Sequence, residues 1–329
     1  ELADYLRRGA KVAAMEVSSH GLDQGRAAGI KFDVAVFTNL TRDHLDYHGT
    51  MEAYAEAKFR LFQARGVGSA VINADDDWGR LFAERLRGTA VDVIGYGLAG
   101  GRLRAAGFEQ SEAGLRIRIE GDWGAGEVAV PVLGAFNVSN LLAVAGTLLA
   151  SGVGFEAALA ALARLKPVPG RLQRLGGGEL PLAVVDYAHT PDALAQALLA
   201  LRPLADSRRG KIWVVFGAGG DRDPGKRAPM GAAAASGADV VVVTSDNPRT
   251  EDPSAIVAQV ALGARDAREL VCLLDRTEAI GHAVRTAAPE DIVLVAGKGH
   301  EDYQVIGTNR QPYSDLAQVR AALSERGRR

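Results

Sequence analysis

Val240-Val241-Val242-Val243-Thr244, followed after Ser245 by Asp246-Asn247-Pro248-Arg249, is the stretch that decides the fold. A run of β-branched residues without period-two alternation has no wet face, so its strand belongs to a sheet covered on both sides. Outward from it the same pattern recurs: residues 183–186, 212–216, 271–274 and 292–296 are further apolar runs, separated by helix-length segments. Strands alternating with helices in this way predict a doubly wound, Rossmann-like α/β domain. Ligands of such sheets lie beyond the carboxyl ends of the strands. Polar segments stand at that edge: Asp186-Tyr187-Ala188-His189, Gly217-Ala218-Gly219-Gly220, Asp246-Asn247-Pro248-Arg249 and Gly297-Lys298-Gly299-His300.

Upstream, residues 11–17, 34–38, 70–73 and 91–96 read as strands of a second, mostly parallel sheet. Leu115-Arg116-Ile117-Arg118-Ile119 alternates strictly, and 128–132 follows a glycine-rich turn, which predicts a small antiparallel addition. Helices are expected over about 136–150 and 155–165. Lys166-Pro167-Val168-Pro169-Gly170-Arg171 cannot continue a helix, so the predicted domains are 1–168 and 169–329.

The 329 residues are 47% hydrophobic and 24% charged with net charge −2, which fits a globular protein and gives no sign of a polyanion-binding surface such as one for nucleic acid. No apolar stretch reaches the length of a membrane span. The start, Glu1-Leu2-Ala3-Asp4, has no signal-peptide character and reads as a cut within a helix. The single cysteine, Cys272, is expected to be a small core residue, and the low count agrees with a reducing cytoplasm.

In the first domain Glu16 closes a predicted strand and precedes Val17-Ser18-Ser19-His20-Gly21. A carboxylate beside hydroxyls suits Mg²⁺, and His44, in the loop after residues 34–38, is a second candidate ligand. On a helix predicted over about 50–63, Lys58 shares a stripe with Met51, Tyr54, Ala55, Leu61 and Phe62, while Glu52, Glu56 and Arg60 fall off it. Burial disfavours a charged lysine, and a neutral amine can take up CO₂ as a carbamate. The alternative is a lysine that snorkels to water. In the second domain, Arg249 can grip a carboxylate through two parallel bonds, where a lysine offers only a point charge. The segment Gly220-Asp221-Arg222-Asp223-Pro224-Gly225-Lys226 imitates a phosphate-binding P-loop. It is rejected as one, because Arg227 stands where Ser or Thr would bind the metal and two aspartates would repel phosphate.

The segments 16–22, 38–49 and 56–58 resemble the central domain of the Mur ligases, and Asp186-Tyr187-Ala188-His189-Thr190-Pro191, 219–227, 246–249 and 297–301 resemble the C-terminal domain of their MurE type. That resemblance implies a partial central domain followed by a Rossmann-like domain, in an ATP-dependent ligase of peptidoglycan precursor synthesis. It implies meso-diaminopimelate joined to UDP-N-acetylmuramoyl-L-alanyl-D-glutamate through an acyl phosphate. It also implies Lys58 carbamylated and binding Mg²⁺ with Glu16 and His44. Ser18, Gln24 and Arg26 match positions for the UDP-muramoyl peptide. Asn137, Asn140, Arg171 and Asp186 match nucleotide positions, although capping explains Asn137 equally well. Arg222, Asp246, Asn247, Pro248, Arg249, Gly297 and Glu301 match diaminopimelate positions.

In that family a true P-loop and a further N-terminal domain precede these segments, so the fragment alone is expected to bind ATP weakly and to form no amide. The expected protein is cytoplasmic and monomeric. A lysine-adding relative, a folylpolyglutamate synthetase, a dinucleotide-dependent oxidoreductase and a non-catalytic binding module are the competing readings. The Asp246–Arg249 segment with Gly297 and Glu301 argues against the first two. The missing G-x-G-x-x-G argues against the third, and retention of Glu16, His44 and Lys58 against the last.

Overall fold

The computed structural model describes residues 2–41 and 44–328, with side chains for all of these except Leu2 and Asp46. Arg42 and Asp43, part of the motif at 38–49, lie outside the described residues. The chain forms two compact units: residues 1–107, 118–128 and 139–162, and residues 108–117, 129–138 and 163–329.

The first part of the chain contains α1 (Leu2–Arg7), α2 (Ser19–Asp23), β1 (Val34–Phe37), α3 (Leu45–His48), α4 (Met51–Phe59), β2 (Ser69–Asn73), α5 (Asp77–Leu86), β3 (Asp92–Gly97), β4 (Leu103–Ser111), β5 (Gly114–Gly121), β6 (Gly124–Val130), α6 (Ala135–Ala150) and α7 (Phe155–Ala163). Its sheet runs in the order β1 to β6, with β1, β2 and β3 parallel. The two-residue connections from β4 to β5 and from β5 to β6 permit only antiparallel hairpins. Phe37, Phe59, Phe62 and Phe82 fill the core beside this sheet with tilted and edge-on ring contacts.

The expected strand over 11–17 does not form: these residues have no regular structure, and Val12 is 87% exposed. A strand exists only where a neighbour completes its ladder, and β1, at the sheet edge, pairs with β2 alone among the described residues. The helix expected over 50–63 ends at Phe59 and tightens into a 3₁₀ turn, Arg60–Gln63. Its stripe is real: Tyr54, Ala55 and Phe62 are buried, Lys58 is half-buried, and Glu52, Glu56 and Arg60 are exposed.

The second part contains β7 (Gln173–Gly176), β8 (Leu182–Asp186), α8 (Pro191–Arg208), β9 (Ile212–Phe216), α9 (Arg227–Gly237), β10 (Val240–Val243), α10 (Pro253–Gly263), β11 (Leu270–Cys272), α11 (Arg276–Thr286), β12 (Ile292–Ala296), β13 (Tyr303–Ile306), β14 (Asn309–Pro312) and α12 (Asp315–Arg326). Its main sheet has the order β11-β10-β9-β12-β8-β7, parallel except for β7. The four valines of β10 show why alternation was absent. Val241 and Val243 enter a core shared with α8, α9 and α10, and Val240 and Val242 enter the opposite core, shared with α11 and α12. The chain leaves β9 for one face and β12 for the other, so the carboxyl ends of these adjacent strands open a crevice.

Cys272 is exposed, not a core residue. It lies on β11, a short edge strand whose outer side has no neighbour among the described residues, and so 270–272 is only partly covered. The edge strand β7 and the hairpin β13–β14 carry polar residues and were not anticipated from hydrophobic runs.

Candidate active site

The loops after β8, β9, β10 and β12 all leave the same edge of the second sheet. Asp186 ends β8 with both carboxylate oxygens engaged by backbone: Leu172 N–H donates to Oδ2 at 2.7 Å and Ala188 N–H to Oδ1 at 2.8 Å. It therefore ties the segment after the linker to the loop at 187–189. Gly170 has φ +68°, and a Cβ there would lie 2.2 Å from the His300 nitrogen, so the close approach of these loops requires glycine. Arg171 is exposed, and its guanidinium covers the Tyr187 ring at 4.7 Å. The Tyr187 hydroxyl pKa is raised, first by burial and then by the Glu301 charge.

Asp246 and Asn247 are both 7% exposed, and between them and Glu301 sits Lys298, a residue to which the sequence reading gave no role. Lys298 Nζ donates to Asn247 Oδ1 at 2.9 Å and to the Tyr303 carbonyl at 3.0 Å. It faces Asp246 Oδ1 at 3.1 Å and Glu301 Oε2 at 3.6 Å. Gly297 has φ +119°, and a Cβ there would stand 2.9 Å from Asp246 Oδ2. Pro248 is buried, and Arg249 follows with φ +51°, a left-handed geometry uncommon for arginine. The hairpin holds it: Arg249 N–H donates to the Val305 carbonyl at 3.1 Å, and Gly307 N–H to the Arg249 carbonyl at 2.7 Å. Arg249 Nη1 donates to the Gly220 carbonyl at 2.6 Å.

Arg222 is exposed and close to Arg249, for a Cβ on Gly219 would lie 3.1 Å from Arg249 Nη1 and 3.8 Å from Arg222 Cγ. The Lys226 pKa is lowered, chiefly by burial; Asp246 and Asp223 oppose the shift, and Arg222 and Arg249 add to it. Beneath them Arg227, 2% exposed, donates to Glu251 at 2.7 Å, to Gln259 at 2.9 Å and to the Gly219 carbonyl at 3.3 Å. This pins together the loops carrying Arg222 and Arg249. The crevice thus joins a cationic flank of Arg222, Lys226 and Arg249 to an acidic one of Asp246 and Glu301.

In the first unit, Lys58 Nζ lies 5.1 Å from the centre of the Tyr54 ring, and the His44 ring lies 5.9 Å from the same ring. His44 has φ +53° and opens α3. His48 stacks on Tyr54 at 5.0 Å, its Nε2 is 2.9 Å from Ser19 Oγ, and burial with the charges of His20 and His44 lowers its pKa. Glu16 is exposed on the irregular segment. Among the described residues, no three His, Cys, Asp or Glu side chains stand in a grouping able to hold a metal ion.

Ser18 caps α2, accepting from Gly21 N–H at 3.0 Å, and a Cβ on Gly21 would lie 3.2 Å from Ser18 Oγ and 3.9 Å from Arg26 Nε. Gln24 Nε2 donates to the Tyr47 hydroxyl at 3.2 Å. Asn137 is not a helix cap, because α6 begins at Ala135; its side chain donates back to the Leu133 carbonyl at 2.6 Å. Asn140 follows one turn later on α6.

Residues 1–148 match the family described as "Mur ligase middle domain", and residues 170–299 match "Mur ligase, glutamate ligase domain". The chain is 52% identical to a UDP-N-acetylmuramoyl-L-alanyl-D-glutamate--2,6-diaminopimelate ligase of Ralstonia nicotianae, an alignment covering 99% of this chain and 65% of that protein. It is 51% identical to the protein of the same name from Pseudomonas aeruginosa, covering 98% of this chain and 66% of that one. A solved structure bearing that name superposes with TM-score 0.70 at 43% identity, covering 99% of this chain and 67% of that chain. MurF from Acinetobacter baumannii shares the fold, with TM-score 0.65 at 18% identity over 89% of this chain and 60% of that one. The chain spans about 65% of the length of the curated relatives it matches. Both domain matches in order, and relatives half identical across almost every residue, establish that the chain belongs to the Mur ligase family.

Proposed function

We propose that the intact enzyme containing this chain is an ATP-dependent amide ligase that adds meso-diaminopimelate to UDP-N-acetylmuramoyl-L-alanyl-D-glutamate, acting in the cytoplasm as a monomer. The observation that carries this reading is the two-signed crevice. Arg222 and Arg249 flank Gly219, with Asp246 and Glu301 gathered around Lys298. A diamino diacid presents ammonium and carboxylate groups to both flanks, whereas lysine lacks the second carboxylate that a planar guanidinium would bind in two bonds.

In the proposed reaction a carboxylate oxygen of D-glutamate attacks the γ-phosphorus of ATP and ADP leaves. The amine nitrogen of diaminopimelate, having lost a proton, then attacks the acyl carbon, and phosphate leaves. Arg171, Asp186, Asn137 and Asn140 are assigned to the nucleotide. Ser18, Gln24 and Arg26 are assigned to the muramoyl peptide, and Arg222, Asp246, Asn247, Pro248, Arg249, Gly297 and Glu301 to diaminopimelate. Glu16, His44 and Lys58 would hold Mg²⁺, which supplies charge neutralisation between phosphate and carboxylate. These residues would fit a hard cation only with Lys58 as its carbamate, since a free ammonium would repel it, and only with Glu16 drawn in from its exposed segment, since no three acidic or imidazole donors group together among the described residues.

The test is an amino-acid panel on the full-length enzyme, parent and Arg249→Ala side by side. The parent should favour diaminopimelate over lysine, and the variant should lose that preference by roughly tenfold or more, as expected for a lost charged hydrogen-bond pair. A parent indifferent between the two amino acids overturns the reading.

A further inference from the structure

Lys298 has no exposed side-chain surface and stands just past the end of β12 between two glycines. A buried ammonium is costly unless its hydrogens and charge are met. Asn247 Oδ1 and the Tyr303 carbonyl take two hydrogen bonds, and Asp246 Oδ1 lies at ion-pair distance, 3.1 Å. That last contact is off the hydrogen-bond axis: Asp246 Oδ1 is a buried oxygen that receives no aligned donor. With Glu301 at 3.6 Å, one lysine faces two carboxylates, and Asp246 keeps an unmet acceptor. An incoming ammonium would find its counter-charge first at Glu301, the more exposed of the two carboxylates.

Asn247 Oδ1 takes a second donor, the Val305 N–H at 2.9 Å. Two donors on one atom fix which end of the carboxamide is oxygen, because the flipped amide would set N–H against N–H. Its Nδ2 therefore turns away from the lysine, giving a hydrogen to Glu301 Oε2 at 3.3 Å and keeping the other for an acceptor.

We infer that Lys298 is a positioning residue for amino-acid recognition: it locks the Asn247 carboxamide oxygen-inward, so the loop offers a donor, and it holds Asp246 and Glu301 together for the ammonium. The inference rests on the diaminopimelate reading above and adds a residue to it.

The experiment uses the full-length enzyme. Lys298→Met should raise KM for diaminopimelate about tenfold or more, with KM for ATP and for the muramoyl dipeptide unchanged. In an Asn247→Ala background the same substitution should add little, because the two residues act as one unit. Asn247→Asp leaves Lys298 in place and keeps an oxygen facing it but removes the outward donor. It should raise the same KM, and it keeps the idea testable if Lys298→Met fails to fold. Equal rises in the three KM values, full additivity with Asn247→Ala, or an Asn247→Asp enzyme with the parent's KM would each overturn the inference. A parent that does not prefer diaminopimelate would overturn the proposed function itself, whereas a selective parent with an unaffected Lys298→Met enzyme would overturn only the role of Lys298.

Discussion

Arg276 and Asp315 meet through two hydrogen bonds of 2.8 Å, with neither side chain exposed to solvent. Arg276 also donates to the Ser245 carbonyl at 3.2 Å and to the Ala296 carbonyl at 2.9 Å, the residues immediately before Asp246 and Gly297. Burial alone would lower the guanidinium pKa, but Asp315 outweighs it and the pKa is raised. One ion pair thus joins α11 and α12 and underpins two loops of the crevice. Removing one partner strands a buried charge. Arg276→Met is expected to cost about 3–5 kcal/mol, and Arg276→Met with Asp315→Leu appreciably less. Urea unfolding of parent, single and double variants decides it, and equal losses in the single and double variants would contradict the account.

Asp239 gives a pH prediction. Burial would raise its pKa, yet the Ile212 N–H at 2.9 Å, Arg202 at 2.8 Å and Arg268 at 3.0 Å prevail and hold it below the ordinary 3.8. A carboxyl whose folded pKa is depressed contributes stability that is fully present above its unfolded value and lost as pH falls through the folded one. Stability should therefore drop below about pH 4, and Asp239→Asn should flatten that part of the curve while costing about 1–3 kcal/mol at neutral pH. Denaturation midpoints from acid to neutral pH are the measurement.

Gly297→Ala should strain the crevice in two ways, through φ +119° and through a Cβ 2.9 Å from Asp246 Oδ2. A loss of about 1–3 kcal/mol is expected, with a higher KM for the amino acid. A variant with parental stability and KM would show that the loop yields freely.

Lys58→Ala should depress amide formation in the full-length enzyme by roughly 10²–10³-fold, the scale of a lost electrostatic stabiliser. Added formate or acetate should restore part of the rate by supplying a carboxylate where the carbamate would stand. Intact-protein mass measured in bicarbonate, with the alanine variant as reference, checks the modification directly; an unmodified parent at full activity would exclude the carbamate.

The buried framework was legible because burial writes itself into composition. β9 and β12 occupy the runs read for them, and β8 and β10 differ from theirs by one residue. The stripe through Lys58 was legible for the same reason. What escaped depends on partners that composition does not encode. The segment at 11–17 is as apolar as a strand but pairs with no strand among the described residues, and Cys272 sits in a run that looks buried yet forms an edge. β14 is polar and β13 is only four residues long, so no sustained hydrophobic run announces the hairpin. Lys298 looked like one more polar loop residue. Its position between glycines, directly after a fully buried strand, was the available signal, and only the surrounding acceptors reveal its task. The distances joining the 246–249 and 297–301 segments, in turn, come from the parallel order of β10, β9 and β12.

The left-handed Arg249 is stitched into the hairpin by two backbone hydrogen bonds, so this loop behaves as an extra half-strand of β13. Transplanting residues 246–249 onto another scaffold without 303–312 would free that arginine to relax toward commoner backbone angles and swing its guanidinium elsewhere. Any redesign of amino-acid preference therefore has a second place to act, the turn and length of β13–β14, where the arginine can be re-aimed without replacing it.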